Sequence, residues 1–174
     1  MTPVEIERKY TIRELPPLGD YECHVIEQAY LCTDPVVRIR RENDSYYMTY
    51  KGSGMLSREE YNLPLNEEAY MHLRAKADGI LLTKKRYLIP IPEPQWKDGY
   101  IPEPQAGREL KVELDIFEGV YQGLMLAEVE FHDQKEADAF LPLSWFQEDV
   151  TFDPRFHNSV LSRGVEDFLR PTAE

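Results

Sequence analysis

Long apolar runs are absent from this 174-residue chain. No stretch approaches the roughly 20 apolar residues that cross a bilayer as a helix. The first ten residues meet Glu5 and Glu7 at once, so they read neither as a secretion signal nor as a transit peptide, and the expected location is the cytoplasm. Cysteine is scarce, with only Cys23 and Cys32. On one strand, at about 3.3 Å per residue, they would stand roughly 30 Å apart. A disulfide needs Cα atoms within about 7 Å, and two cysteines alone make no metal site, so reduced structural thiols are expected. The four histidines, His24, His72, His132 and His157, are scattered without metal-ligand spacing and are expected on the surface or in packing. Positive charge is in the minority: 20 Lys and Arg against 32 Asp and Glu leave a net charge of −12. Such a chain repels a nucleic-acid backbone overall. It can hold a polyanion only where its basic residues gather in one place, so neither nucleic acid nor a membrane is expected as a partner.

What remains is the composition of a soluble globular domain, with 42% hydrophobic and 30% charged residues, too apolar for a disordered chain. The length suggests one domain, expected over residues 1–165 with 166–174 as a flexible tail. Period-2 patterns dominate. They predict strands over Val4–Tyr10, Cys23–Leu31, Val36–Arg41, Ser45–Lys51, Glu59–Leu65, Ile80–Ile89, Glu109–Phe117 and Leu124–Phe131. Helices are few: one over Asn66–Ala77 with Asn66 as N-cap, a short one over Lys135–Leu141, and one over Arg155–Arg163. Between Pro90 and Gly107, Ile91-Pro92-Glu93-Pro94-Gln95 recurs as Ile101-Pro102-Glu103-Pro104-Gln105. Dense proline excludes a central strand there, leaving a surface loop or, alternatively, a flap near a site entrance.

Successive strand residues point to opposite faces, and seven of these strands put charge on one face. That face collects eight cations, Lys9, Arg38, Arg40, Lys51, Arg58, Lys84, Arg86 and Lys111. It also collects eight anions, Glu5, Glu7, Glu60, Glu109, Glu113, Asp115, Glu128 and Glu130. A half-buried sheet with a solvated outer face is the plain alternative, but such a face carries many Thr, Ser and Gln, and these are sparse. A sheet closed on itself has no edges and encloses a central space. The predicted fold is therefore α+β, mainly β: an eight-stranded antiparallel closed barrel, charged inside, with a few helices covering its apolar outside. Carboxylates gather hard divalent cations, and Arg and Lys gather phosphate oxygens. Both signs together suit a metal–polyphosphate complex.

Glu5-Ile6-Glu7-Arg8-Lys9, an E-x-E-x-K on the first strand, resembles the opening motif of the CYTH family, the triphosphate tunnel metalloenzymes. The sequel matches in order: Gln28-x-Tyr30-Leu31, Arg38-x-Arg40, Thr49-x-Lys51-Gly52, Arg58-x-Glu60, Lys84-x-Arg86-Tyr87, Glu113-x-Asp115-x-Phe117, Glu128-x-Glu130, and Phe156-x-Asn158-x-x-Leu161. Asn62 stands where many members carry another carboxylate, and Phe156 replaces a tyrosine. The resemblance implies hydrolysis or cyclisation of small-molecule triphosphates with Mg²⁺ or Mn²⁺. Glu5, Glu7, Glu60, Asp115, Glu128 and Glu130 are the implied metal ligands. Lys9, Arg38, Arg40, Lys51, Arg58, Lys84 and Arg86 are the implied holders of triphosphate oxygens. Lys9, Lys51, Lys84 and Tyr30 are the implied catalytic candidates. Cleavage of inorganic triphosphate is favoured, with nucleoside and thiamine triphosphates as further substrates. A class IV-type adenylyl cyclase is the alternative within the family, and a non-catalytic polyphosphate-binding module is the alternative outside enzymes. Either a monomer or a homodimer fits.

Overall fold

The computed structural model of the protein describes residues 4–103 and 109–169. Among the described residues there are nine strands: β1 Val4–Ile12, β2 Cys23–Thr33, β3 Val36–Glu42, β4 Ser45–Lys51, β5 Ser57–Leu65, β6 Asp78–Pro90, β7 Lys111–Phe117, β8 Met125–Glu130 and β9 Phe146–Asp149. Three helices accompany them: α1 Glu67–Arg74, α2 Gln134–Ala139 and α3 Asn158–Leu161. The sheet order is β5-β4-β3-β2-β6-β7-β8-β1-β9, and β5 pairs again with β1 to close an eight-stranded antiparallel ring. On that edge of β1, β5 holds Val4–Ile6, and β9 pairs with Tyr10 and Ile12. Neither stretch of backbone is left as an open edge.

The ionic faces converge inward. Lys9, Arg38, Arg40, Lys51, Lys84, Arg86, Asp115 and Glu128 are all buried. The interior is not polar throughout. Leu82, Phe117 and Leu126 lie two residues from Lys84, Asp115 and Glu128 on their strands, and they cluster with Tyr30, Phe156, Leu161 and Val165. One end of the barrel is thus filled with apolar side chains where α3 packs.

The outer apolar face differs from the expected helical cover. On the β1–β8–β7 side, Tyr10, Val112, Leu114 and Val129 pack with Phe131, Phe140, Phe146 and Ile91. Tyr10 stacks on Phe146 at 4.5 Å. Here β9, α2 and the proline-rich segment share the work. Helix α1 covers Ala29 and Ile39 with Tyr70. On β4 and β5, Tyr50, Tyr61 and Leu63 stay exposed. Arg8, the one β1 cation aimed outward, bonds Asp138 at 2.7 Å, Asp149 at 3.0 Å and the Ala137 carbonyl at 2.6 Å. It ties α2 and β9 to the barrel.

Asn66 caps α1, its side chain accepting from the Ala69 amide at 2.7 Å, and the helix ends at Arg74, short of the expected Ala77. The expected 155–163 helix is broken. Pro154–Phe156 is a single 3₁₀ turn, His157 is extended, and α3 starts only at Asn158. Lys9 Nζ donates to the Phe156 carbonyl at 3.2 Å, fixing the break against the barrel interior. The two proline repeats are unequal: Ile91 is 5% exposed and Ile101 is 84% exposed. Pro104 and Gln105 lie outside the described residues. The described part packs on α2, with the Lys97 amide donating to Ala139. None of this described part lines the central cavity. Cys23 and Cys32 are free thiols on β2. Glu166–Phe168 forms a 3₁₀ turn whose Phe168 ring lies 4.9 Å from Phe156, and residues 170–174 lie outside the described residues.

Candidate active site

A cavity of about 370 Å³ occupies the barrel interior. Each strand delivers its side chains by parity. From β1 come Glu5, Glu7 and Lys9; from β3, Arg38 and Arg40; from β4, Tyr47 and Lys51; from β5, Arg58, Glu60 and Asn62. Arg86, Glu113, Glu128 and Glu130 also line it, with Tyr30 and Val36 from β2 and β3.

The cations fall into two groups. Those on the β6–β8 side are saturated by carboxylates. Arg86 bonds Asp115 at 2.7 Å and Glu128 at 2.8 Å, and it also meets Glu113. Burial works against its charge, but Asp115, Glu113 and Glu128 outweigh it and hold the guanidinium well above its ordinary value. Lys84 is 0% exposed and paired with Asp115. Burial lowers its ammonium to about 8 against that pairing. Lys9 sits 2.9 Å from Glu128. Conversely, Arg86 and Lys84 overcome burial to keep Asp115 low, and Lys9 and Arg86 do the same for Glu128, which is held well below the usual range.

On the β3 side the balance is different. Arg38 is buried and, among the described residues, bonds only Thr49, at 3.1 Å, with its Nε unpartnered. Burial, then the adjacent Arg40, lowers its guanidinium. A buried charge without a counter-charge is costly, and an incoming anion would relieve it. Arg40 donates to the Gln28 side chain and the Tyr47 hydroxyl, both at 3.1 Å.

Carboxylates crowd the β1–β5–β8 side. Glu7 and Glu130 are direct cross-strand partners, and like charges so placed repel. Lys51 bridges Glu5 at 2.5 Å and Glu60 at 2.7 Å. Burial and the neighbouring Glu7 push Glu5 up to about 8 in spite of Lys51. For Glu60, Lys51 outweighs burial and holds the carboxyl at about 2. An all-oxygen set of this kind suits a hard divalent cation. Among the described residues no three such groups yet converge at ligand distance. Lys51 stands between Glu5 and Glu60, and Arg58 lies 3.8 Å from Glu5 and 3.9 Å from Glu7.

The comparisons with known proteins agree with this geometry. A CYTH domain model matches residues 4–153. The chain belongs to the CYTH family. An inorganic triphosphatase from Nitrosomonas europaea is 36% identical over 164 residues, covering 92% of this chain and 98% of the relative. An inorganic triphosphatase from Acetivibrio thermocellus is 32% identical over 131 residues, covering 74% and 72%. A solved inorganic triphosphatase structure superposes with a TM-score of 0.65 at 31% identity, covering 95% of this chain and 97% of that one.

In this CYTH domain most residues singled out from the sequence meet in the one cavity. Lys84 and Asp115 do not line it; they pair behind the wall. Lys111 and Glu109, counted on the charged face, are exposed and away from it. Sequence reasoning gave no role to Glu42, although it shares the parity of Arg38 and Arg40 and lines the cavity. His157, Asn158 and Ser159 also line it. They come from an irregular segment where no strand parity applies, so only the family's closing motif pointed near them. His157 Nε2 bonds the Thr151 carbonyl at 3.1 Å, and burial, then Lys9, lowers its imidazole.

The carboxylates fix an acid limit. Glu42 and Glu60 titrate at about 2 in the folded state, against roughly 4.3 for an ordinary glutamate. Depressed folded values contribute stability that is complete above the unfolded value and is lost as pH falls through the folded one. Urea midpoints measured against pH should therefore fall between about pH 4 and pH 2.

Proposed function

We propose that this CYTH domain hydrolyses inorganic triphosphate with divalent metal ions, Mg²⁺ or Mn²⁺. The observation that carries the reading is Arg38, a buried guanidinium without a carboxylate partner, facing a cavity whose opposite wall is crowded with carboxylates. Net attraction for an anion on one wall and for a cation on the other is what a metal–triphosphate complex requires. The curated relatives named as inorganic triphosphatases support the same substrate.

Glu5, Glu7, Glu60 and Glu130 would hold the metal, with Glu128 beside them; all five line the cavity. Bound there, a divalent ion would neutralise phosphate charge and lower the pKa of an attacking water. Arg38 and Arg40 hold phosphate oxygens. Lys51 and Arg58 pair with these carboxylates and would be free to turn to phosphate where those carboxylates held metal. Arg86 and Lys9 remain anchored by Glu128 and stabilise charge on the transferring group. Asp115, behind the wall, orients Arg86 and Lys84. Tyr30 bounds the cavity, its hydroxyl 3.5 Å from the Gln28 amide, and stands where it can contact the substrate.

The cavity favours inorganic triphosphate over a nucleotide. Its lining is ionic, and its two aromatic residues are Tyr30 and Tyr47. Neither an apolar slot for a base nor a site for a ribose is formed by the described residues. The test is phosphate release from tripolyphosphate, ATP and thiamine triphosphate, each with Mg²⁺ and Mn²⁺. Fastest release from tripolyphosphate is expected, dependent on metal. Cyclic AMP from ATP would favour the cyclase, and tight tripolyphosphate binding without release would favour a binding module.

Metal binding should depend on pH. Glu5, at about 8, holds a proton at neutral pH in the metal-free protein, and a ligand must be deprotonated. Apparent Mg²⁺ affinity should rise with pH up to about 8, with proton release on binding. Calorimetry in buffers of different ionisation enthalpy reads both.

A further inference from the structure

A chain of contacts leaves the cavity wall and ends on a histidine at the barrel rim. It begins at Arg40, whose Nη1 donates to the Tyr47 hydroxyl at 3.1 Å. Tyr47 in turn donates to Glu42. Glu42 lies 3.6 Å from Arg40 and, through its other oxygen, 2.5 Å from His24 Nδ1. His24 Nε2 is 2.7 Å from Glu22. His24 shares the inward parity of Gln28 and Tyr30 but sits at the start of β2, away from the Tyr30 end where α3 packs. It is outside the carboxylate cluster assigned to metal.

Both imidazole nitrogens face carboxylate oxygens. Ionised carboxylates only accept, and a neutral imidazole has one N–H to give. The geometry is complete only for the imidazolium. Around it stand Glu22 on the preceding loop, Glu42 and Arg40 on β3, Tyr47 on β4, and Arg86 on β6, the cross-strand partner of His24. Glu113 on β7 is held by Arg86.

We infer that His24 and Glu42 are positioning residues for triphosphate binding, and that His24 must carry its proton to hold Arg40 in place. The inference rests on the triphosphatase reading for its substrate. When His24 loses its proton, one carboxylate faces a bare lone pair. Where that lone pair is on Nδ1, Glu42 loses a donor and leans on Arg40, drawing the guanidinium toward the rim and off the phosphate. Glu22, then Glu42, push the His24 imidazole above its ordinary value, so the imidazolium persists to higher pH than that of an ordinary histidine. It is lost as pH rises through that raised value.

The experiment is tripolyphosphate kinetics against pH for the wild type, His24→Gln, His24→Lys and Tyr47→Phe, with His24 followed by NMR in the metal-free protein. KM of the wild type should rise about fivefold to tenfold as His24 deprotonates, the size of one ordinary hydrogen bond, with kcat nearly constant. His24→Gln should have the raised KM at every pH. His24→Lys, which keeps the charge, should have the low KM without that rise. Tyr47→Phe should raise KM without moving His24's titration far. Wild-type KM and pH profile in His24→Gln would overturn the inference. The NMR arm does not need activity: Glu42→Gln should lower the His24 pKa, and an unmoved pKa would overturn the network. A wild type that neither binds nor hydrolyses tripolyphosphate would instead sink the triphosphatase reading, leaving the NMR result standing.

Discussion

Replacing Glu130 by glutamine is expected to cost this CYTH domain its metal-dependent tripolyphosphate turnover by about a hundredfold or more, while leaving the barrel standing. Glu130 is opposite Glu7 in the β1–β8 ladder. Two carboxylates in that relation repel in the metal-free protein. The amide keeps the side chain's shape and removes that repulsion, so the metal-free protein should still fold. Steady-state rates at saturating Mg²⁺, paired with urea denaturation of the metal-free protein, check both halves. Unchanged turnover would reject the assignment of Glu130.

Arg86→Met is expected to behave in the opposite way and damage the fold first. Arg86 answers Asp115, Glu113 and Glu128 together. Removing it leaves buried carboxylates facing only Lys84 and Lys9. Breaking one side of a buried ionic cluster costs about 3–5 kcal/mol, a large share of the roughly 5–15 kcal/mol that holds a domain together. The urea midpoint should drop sharply at neutral pH. It should drop less near pH 4, where protonation begins to relieve the orphaned carboxylates. Arg155→Ala, which removes an exposed cation paired with Asp153, should leave the midpoint unmoved. Equal midpoints for Arg86→Met and wild type would show that the cluster is not holding the barrel.

The barrel was legible because its inside and outside differ in charge and its strands have a strict two-residue period. In β3, Arg38 and Arg40 alternate with Val37 and Ile39; in β7, Glu113 and Asp115 alternate with Val112, Leu114 and Ile116. That contrast located eight strands and the face on which the site lies. It could not locate β9. Phe146–Asp149 is four residues long with a single buried side chain, so no alternation announces it, and its place is set by Tyr10 stacking on Phe146. Nor could periodicity find the break at His157, which depends on Lys9 bonding the Phe156 carbonyl from a strand about 150 residues earlier. Within the site, parity put Lys84 and Asp115 on the correct face but carried no depth. Apolar Leu82 and Phe117 beside them on that face mark the filled end of the barrel. Glu42 was within reach of the same parity argument, one step past Arg40.

The most direct measurement is a crystal structure of the protein grown with tripolyphosphate and Mn²⁺, with the manganese located by its anomalous scattering. The account predicts the phosphate chain inside the barrel against Arg38 and Arg40, and manganese on the Glu5–Glu7–Glu130 side of the same cavity. Tripolyphosphate and manganese found only on the outer surface, with no phosphate against Arg38, would contradict it.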